Sequence, residues 1–348
     1  MIELSVVIPV YNVEKYIHQC LDSVISSSFK DWECILVDDG SKDNSGSICD
    51  EYAKTDERFK VIHKPNGGLS SARNAGMDLA KGKWITFIDS DDFISPDRLE
   101  ALMSCTNSNA NIDIVFGGCT NYVDGKISDI EQHYFDHIST DMVEILNRFR
   151  GLMHTKLINA DLLSNGEEGN PFRFDVKSKI EDMVFTLSIL RKVNTVYFCS
   201  DNGYYYRRDN ATSLTKMMSK WTYEQYLYDW KLCYSYYIQI CKRCCLDPLS
   251  LEHRRSDMGA SILSVINTLY YSEYSHSLRV KHIKEDFSED EINYLHFCKK
   301  SNLVTWFGNV LLLKKKYIYF DICKSIYFNV LIFGSHIKKL LLYRNCQN

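Results

Sequence analysis

Two short acidic clusters each follow an apolar run, and together they carry the residue types of a cation and phosphate site. The first is Ile35-Leu36-Val37-Asp38-Asp39-Gly40-Ser41, and the second is Trp84-Ile85-Thr86-Phe87-Ile88-Asp89-Ser90-Asp91-Asp92. Continuous apolar runs of this kind read as buried parallel strands, and open α/β sheets bind ligands at the carboxyl ends of such strands. Carboxylates crowded at one such end repel, so stability explains them poorly. A divalent cation with a phosphorylated ligand explains them better, because Mg²⁺ and Mn²⁺ take carboxylate oxygens together with substrate phosphates. In an extended Asp89-x-Asp91 segment both side chains point the same way and can meet one ion. The competing local readings are an Asp-Gly turn for the first cluster and helix capping ahead of Pro96 for the second.

The flanking sequence predicts the elements that position these groups. Residues 5–10 read as a first strand ended by Tyr11-Asn12. Apolar residues at Val13, Tyr16, Ile17, Cys20, Leu21, Val24 and Ile25 then follow helical spacing. A strand over 32–37, a helix over 45–54 and a short strand over 60–63 come next. After the loop Pro65-Asn66-Gly67-Gly68, Ser70 is expected to cap a helix running to about Ala80. The alternation predicts an α/β fold with a mostly parallel sheet covered on both faces. Further on, Pro96-Asp97 opens a helix, 113–116 is a strand, and Asp124-Gly125 marks a hairpin. Residues 140–163 are expected to be helical with a break near Gly151, and 180–190 to be helical. Past Met217 the pattern is helical without a catalytic signature. The expected division is 1–216 and 217–348, the first part subdividing into 1–120 and 121–216.

Size and composition narrow the class. At 348 residues with 45% hydrophobic content, the chain can form two packed parts. Thirteen Cys suggest disulfides, but strand-like sequence begins at once after Met1-Ile2-Glu3, with no secretory signal. The count is odd, and Cys20, Cys34 and Cys119 lie in apolar segments, so reduced packing residues in a cytoplasmic protein are expected. Cys241-Lys242-Arg243-Cys244-Cys245 has no second Cys/His pair at zinc spacing nearby. From residue 296 to 348, nine Lys/Arg face Asp321 as the sole acid, within a chain of net charge −4. That asymmetry argues against nucleic acid as partner and for a basic end meeting an anionic surface. The apolar run from Leu303 to Leu313 ends at Lys314-Lys315-Lys316 and falls short of the roughly 20 residues of a spanning helix. It predicts an interfacial helix making peripheral contact with the inner face of the plasma membrane, with docking on the protein itself as the alternative.

Six segments, in order, resemble glycosyltransferase family 2, the inverting nucleotide-sugar enzymes with the GT-A fold. They are Val7-Ile8-Pro9-Val10-Tyr11-Asn12, Val37-Asp38-Asp39-Gly40-Ser41-Lys42-Asp43, and Gly67-Gly68-Leu69-Ser70-Ser71-Ala72-Arg73-Asn74-Ala75-Gly76, followed by Asp89-Ser90-Asp91-Asp92, Ile180-Glu181-Asp182 and Tyr204-Tyr205-Tyr206-Arg207. The resemblance spans about residues 3–215 and looks most like bacterial enzymes of capsule, exopolysaccharide or O-antigen synthesis. It implies a donor half over 1–120, an acceptor half over 121–216, and transfer from a nucleotide sugar, UDP-sugar favoured, to a glycan or lipid-linked acceptor.

By the same resemblance, Pro9, Tyr11, Asp38 and Asp39 line the nucleobase pocket, and Arg73, Asp89, Ser90, Asp91 and Arg207 serve the donor. Asp91 with Asp89 would hold Mn²⁺ or Mg²⁺. Asp182 would be the general base, and Glu181 would contact the acceptor. His154 stands where the family often has an aromatic residue facing the acceptor, and Lys156 matches a family Lys. Two other readings compete. A sugar-phosphate nucleotidyltransferase would carry a Gly-rich loop after the first strand, which Pro9-Val10-Tyr11-Asn12 does not supply. A non-catalytic nucleotide-sugar-binding scaffold would tolerate an incomplete acidic set, whereas Asp39, Asp91 and Asp182 are all present.

Overall fold

Strand β1 (Leu4–Val10) is buried along its whole length, its sequence apolar apart from Ser5, which donates to Glu33. The computed structural model that contains it describes residues 2–348 other than 109, 150, 211–220, 271–273, 298–310, 322–323 and 325–348. The chain forms two compact units, Met1–Met218 and Ser219–Asn348.

In the first unit, α1 (Ile17–Ile25) follows β1 and buries Ile17, Cys20, Leu21 and Val24, the apolar stripe of its sequence. Then come β2 (Trp32–Asp38), α2 (Ser45–Thr55), β3 (Phe59–His63), α3 (Leu69–Leu79) and β4 (Trp84–Phe87). Strands β3, β2, β1 and β4 lie side by side and parallel. In register, Val10 pairs with Asp38 and Val7 with Phe87. Both acidic clusters therefore leave the sheet at one edge. Helix α3 lies close on this sheet because Gly76 has no side chain: a Cβ there would come within 2.3 Å of Val7. The expected Ser70 cap is not formed. Gly68 occupies the cap position, and Ser70 Oγ donates to the Asp175 carbonyl at 3.0 Å.

The chain continues through β5 (Phe93–Ile94), α4 (Arg98–Ser104), β6 (Ile114–Phe116), β7 (Cys119–Val123) and β8 (Lys126–Gln132). Asp124 and Gly125, both at positive φ, make the β7–β8 hairpin turn. After β9 (His137–Ser139) and α5 (Met142–Arg148) the structure departs from the expected helix. Residues 156–159 form β10 (Lys156–Asn159), inserted antiparallel between β4 and β6. Here sheet pairing overrides the helical signals of the surrounding sequence. Because β10 runs opposite to β4, the residues just before it reach the acidic edge.

Helices α6 (Ala160–Ser164) and α7 (Glu181–Leu190) and strands β11 (Val196–Phe198) and β12 (Tyr204–Arg207) complete the unit. The main sheet has eight strands in the order β3-β2-β1-β4-β10-β6-β11-β9, and β5-β12-β7-β8 form a second sheet. Cys20, Cys34 and Cys119 are free and buried in this unit.

The second unit contains α8 (Tyr223–Arg243), α9 (Glu252–Thr268), α10 (His276–Glu285) and α11 (Glu289–Asn293). Thr222 and Gln225 close a capping box at the start of α8. No helix of the described residues is long and apolar enough to cross a membrane. The expected interfacial segment from Leu303 falls largely outside the described residues, which resume at 311–321 and 324.

Candidate functional site

The centre of the site is Arg73, carried on the face of α3 that Gly76 brings against the sheet. Its side chain is 1% exposed and meets three carboxylates. One Nη donates to Asp89 Oδ1 at 2.9 Å. The other donates to Asp182 Oδ1 and lies 3.4 Å from Glu181 Oε1. A planar guanidinium fork suits such sharing, which a Lys could not reproduce. Asp182 and Glu181 sit in the first turn of α7, where the helix dipole favours acids. Asp182 Oδ2 also accepts the Met153 N–H at 3.0 Å, so both of its oxygens are oriented while its side chain stays 24% exposed.

The Asp89–Asp92 loop is braced by β12. Tyr204 Oη donates to Asp92 Oδ2 at 2.6 Å and accepts the Asp89 N–H at 3.1 Å. Arg207 N–H reaches Asp92 Oδ1 at 2.7 Å, and Arg207 Nε reaches the Asp91 carbonyl at 2.7 Å. Asn210 Nδ2 donates to Asp91 Oδ2 at 2.7 Å. Ser90 is buried within this loop. Arg207, expected to face a diphosphate, is buried and committed to the loop and to Gln19 Oε1 at 2.5 Å.

His154 precedes β10 and arrives beside Asp89, with Nδ1 at 3.4 Å from Oδ2. Its ring stacks on Tyr204 and Tyr206, at 4.2 and 5.4 Å between centroids. Alternate β12 residues share a face, which is why both tyrosines meet it.

The nucleobase candidates lie along the same edge. Asp39 is buried, and its carboxylate accepts Lys64 Nζ at 2.5 Å and the Gly67 and Gly68 N–H groups at 2.9 and 2.7 Å. Asp38 accepts the Ser41 N–H and meets His63 Nδ1, each at 2.9 Å. Pro9 is buried in β1, while Tyr11 is 46% exposed beyond its end. The structure thus brings Arg73, Asp89, Asp182, Glu181 and His154 into one cluster, with Asp91 next to it on the loop.

Electrostatics make this edge a candidate cation site. Burial, then the charge of Asp89, pushes the Asp91 carboxyl up, and burial with Asp91 and Asp89 pushes Asp92 well above the usual range. Asp89, by contrast, is held low: burial pushes it up, but the charge of Arg73 outweighs that. A divalent ion would relieve the strain at Asp91, and its oxygen donors fit Mn²⁺ or Mg²⁺. Lys156, fully buried beneath the site and donating to the Leu152 carbonyl, is pushed down to about 7 by burial.

Glu181 is pushed up to about 7, first by burial and then by the Asp182 charge, from an ordinary 4.5. Between those values the folded chain keeps a proton that the unfolded chain has released. This group therefore costs stability as pH rises through that window. Urea unfolding from about pH 5 to about pH 7 should show Glu181→Gln losing less stability than wild type, the difference reaching at most about 1.4 kcal/mol per pH unit. Equal slopes for the two proteins would show that Glu181 does not hold this proton.

Sequence reasoning missed Tyr204, Asn210 and Lys64. The tyrosine's signal was present in the aromatic alternation of β12. The other two are polar residues whose partners lie on distant loops.

A mostly parallel sheet flanked by helices, with an acid-rich edge of this kind, has the GT-A type of architecture. Residues 5–160 match the family model "Glycosyl transferase family 2". The chain is 34% identical over 226 residues to glycosyltransferase GlyG of Streptococcus pneumoniae serotype 4 (strain ATCC BAA-334 / TIGR4), covering 60% of this chain and 72% of GlyG. It is 34% identical over 242 residues to the uncharacterized glycosyltransferase EpsJ of Bacillus subtilis (strain 168), covering 64% and 66%. The chain belongs to glycosyl transferase family 2. In fold it is similar to S. aureus TarS 1-349 in complex with UDP-GlcNAc, with a TM-score of 0.69 at 19% identity over 94% of this chain and 92% of that one. The mannosyltransferase PcManGT from Pyrobaculum calidifontis, solved with GDP-Man and Mn²⁺, is more distant, with a TM-score of 0.50 at 12% identity over 93% and 87%.

Proposed function

We propose that the chain is an inverting glycosyltransferase that moves a sugar from a UDP-sugar to a glycan or lipid-linked acceptor in bacterial surface polysaccharide synthesis. The observation that carries this reading is the Arg73 guanidinium, which joins Asp89 of the donor edge to Asp182 of α7. It sets a donor-side carboxylate and a proton acceptor on either side of one rigid group. The glycosyltransferases named above support the transfer reaction, and the UDP-GlcNAc held by TarS supports the donor class.

In this reading the acceptor hydroxyl attacks the anomeric carbon opposite the nucleoside diphosphate. A C–O bond forms to the acceptor, the C–O bond to the phosphate breaks, and the hydroxyl proton passes to Asp182. Arg73 and the Met153 N–H orient that carboxylate. Asp39, Pro9 and Tyr11 serve the base, and Asn210 and Arg207 hold the Asp91 loop in place. When bound at Asp91 and Asp89, a divalent cation supplies positive charge for the departing diphosphate.

Calorimetry with UDP and GDP in the presence of Mn²⁺ tests the donor half of the proposal. UDP is expected to bind more tightly, and Asp91→Ala to abolish the metal-dependent part of that binding with the melting temperature retained. GDP binding as tightly as UDP would refute the base assignment. Undiminished UDP binding in chelator would refute the metal assignment.

A further inference from the structure

Resting on the donor-and-cation reading above, we propose that His154 is a nitrogen ligand of the cation. The ion is then held by an imidazole–carboxylate set that favours first-row transition metals over Mg²⁺. His154 is 3% exposed, and among the described residues neither ring nitrogen makes a hydrogen bond. Buried imidazole nitrogens are normally satisfied, and the described residues leave this one open to a bound partner. The ring cannot turn away to find another partner, because it is stacked nearly parallel on Tyr204 and Tyr206, at 14° and 18°.

The spacing points to an ion rather than to an absent protein group. Nδ1 stands 3.4 Å from Asp89 Oδ2, beyond a normal N–H···O bond. Two neighbouring ligands each about 2.1 Å from one ion lie roughly 3.0 Å apart in octahedral geometry and roughly 3.4 Å apart in tetrahedral geometry. Ligand atoms of Asp89, Asp92 and His154 all fall within 4.8 Å of one another. Arg73 occupies Asp89 Oδ1 at 2.9 Å, which leaves Oδ2 as the oxygen turned to the imidazole. Both oxygens of Asp92 accept protein hydrogen bonds, from Tyr204 and Arg207. The imidazole and Asp89 Oδ2 are therefore the paired donors; Asp91 lies outside that group of three. An imidazole suits transition ions, whereas Mg²⁺ is served by oxygen donors and water.

The test is pulsed electron paramagnetic resonance on the whole chain with Mn²⁺ and UDP, which detects a nitrogen bound directly to the ion. Wild type should show ¹⁴N modulation. His154→Phe, which keeps a ring in the stack, should lose the modulation. It should also shrink the ratio of Co²⁺ to Mg²⁺ affinity by about tenfold or more. His154→Gln is the second variant, should the first fail to fold. Mn²⁺ bound in wild type without nitrogen modulation overturns the proposal and leaves the donor reading standing. Weaker binding of UDP-sugar relative to UDP in the variants, with no modulation in wild type, would assign the imidazole to the sugar and also overturn it. Absence of any Mn²⁺ binding by wild type overturns this proposal and the cation assignment together.

Discussion

Replacing Asp182 by Asn is expected to cut sugar transfer by about 10²–10⁴-fold while UDP affinity stays nearly unchanged. The carboxylate is fixed by Arg73 at one oxygen and by the Met153 N–H at the other, and it remains reachable from solvent. An amide of the same shape still fills this place but cannot take a proton from an acceptor hydroxyl. It turns one N–H toward a group that is already a donor, so a modest local shift accompanies the loss. The donor edge is built from other residues, which is why binding and transfer should separate. Rates must be followed with a defined acceptor, because slow donor hydrolysis would mask the effect. Near wild-type transfer by the variant would move the base to Glu181, 3.4 Å from the same guanidinium.

Arg73→Met should cost about 3–5 kcal/mol of stability and remove most activity. The guanidinium is buried, and it is the shared partner of Asp89, Glu181 and Asp182. Without it, three partly enclosed carboxylates face one another with no shared cation. Asp89 is held low chiefly by this arginine, so in the variant its pKa should rise. The stability deficit should then shrink as pH falls, because protonation removes the repulsion. Arg73→Lys restores the charge without the fork and should fall between the two. Urea unfolding at neutral and acid pH reads all three proteins. A Met variant within about 1 kcal/mol of wild type would show that the carboxylates relax without their shared cation.

Much of the fold was legible because its strands are fully buried. The runs ending at Asp38 and Phe87 admit little but central parallel strands, so the acid-rich edge could be placed from sequence. Strand β10 was not legible. Lys156-Leu157-Ile158-Asn159 is four residues long and sits between helix-like segments. Periodicity cannot separate so short a run from a helix, and pairing with Thr86 and Val115 decides the matter. With β10 misread, the route by which His154 reaches Asp89 was hidden as well. For Arg73 the resemblance alone suggested a place on the donor side. Its convergence with Asp89 and Asp182 became visible only once α3, β4 and α7 were set against one another.

The Arg73 junction also bears on how this polypeptide emerges from a ribosome. Asp182 lies 109 positions beyond the arginine it pairs with. At about 5–20 residues per second, that stretch takes roughly 5–20 s to synthesise. During that interval the nascent donor half already has β1–β4 and α3, but its central guanidinium has only Asp89 among its three acids. Synthesis past Asp182 is what completes the charge set, so the finished edge waits until about half of these 348 residues have been made. Protease sensitivity of nascent chains arrested on either side of Asp182 would register that step.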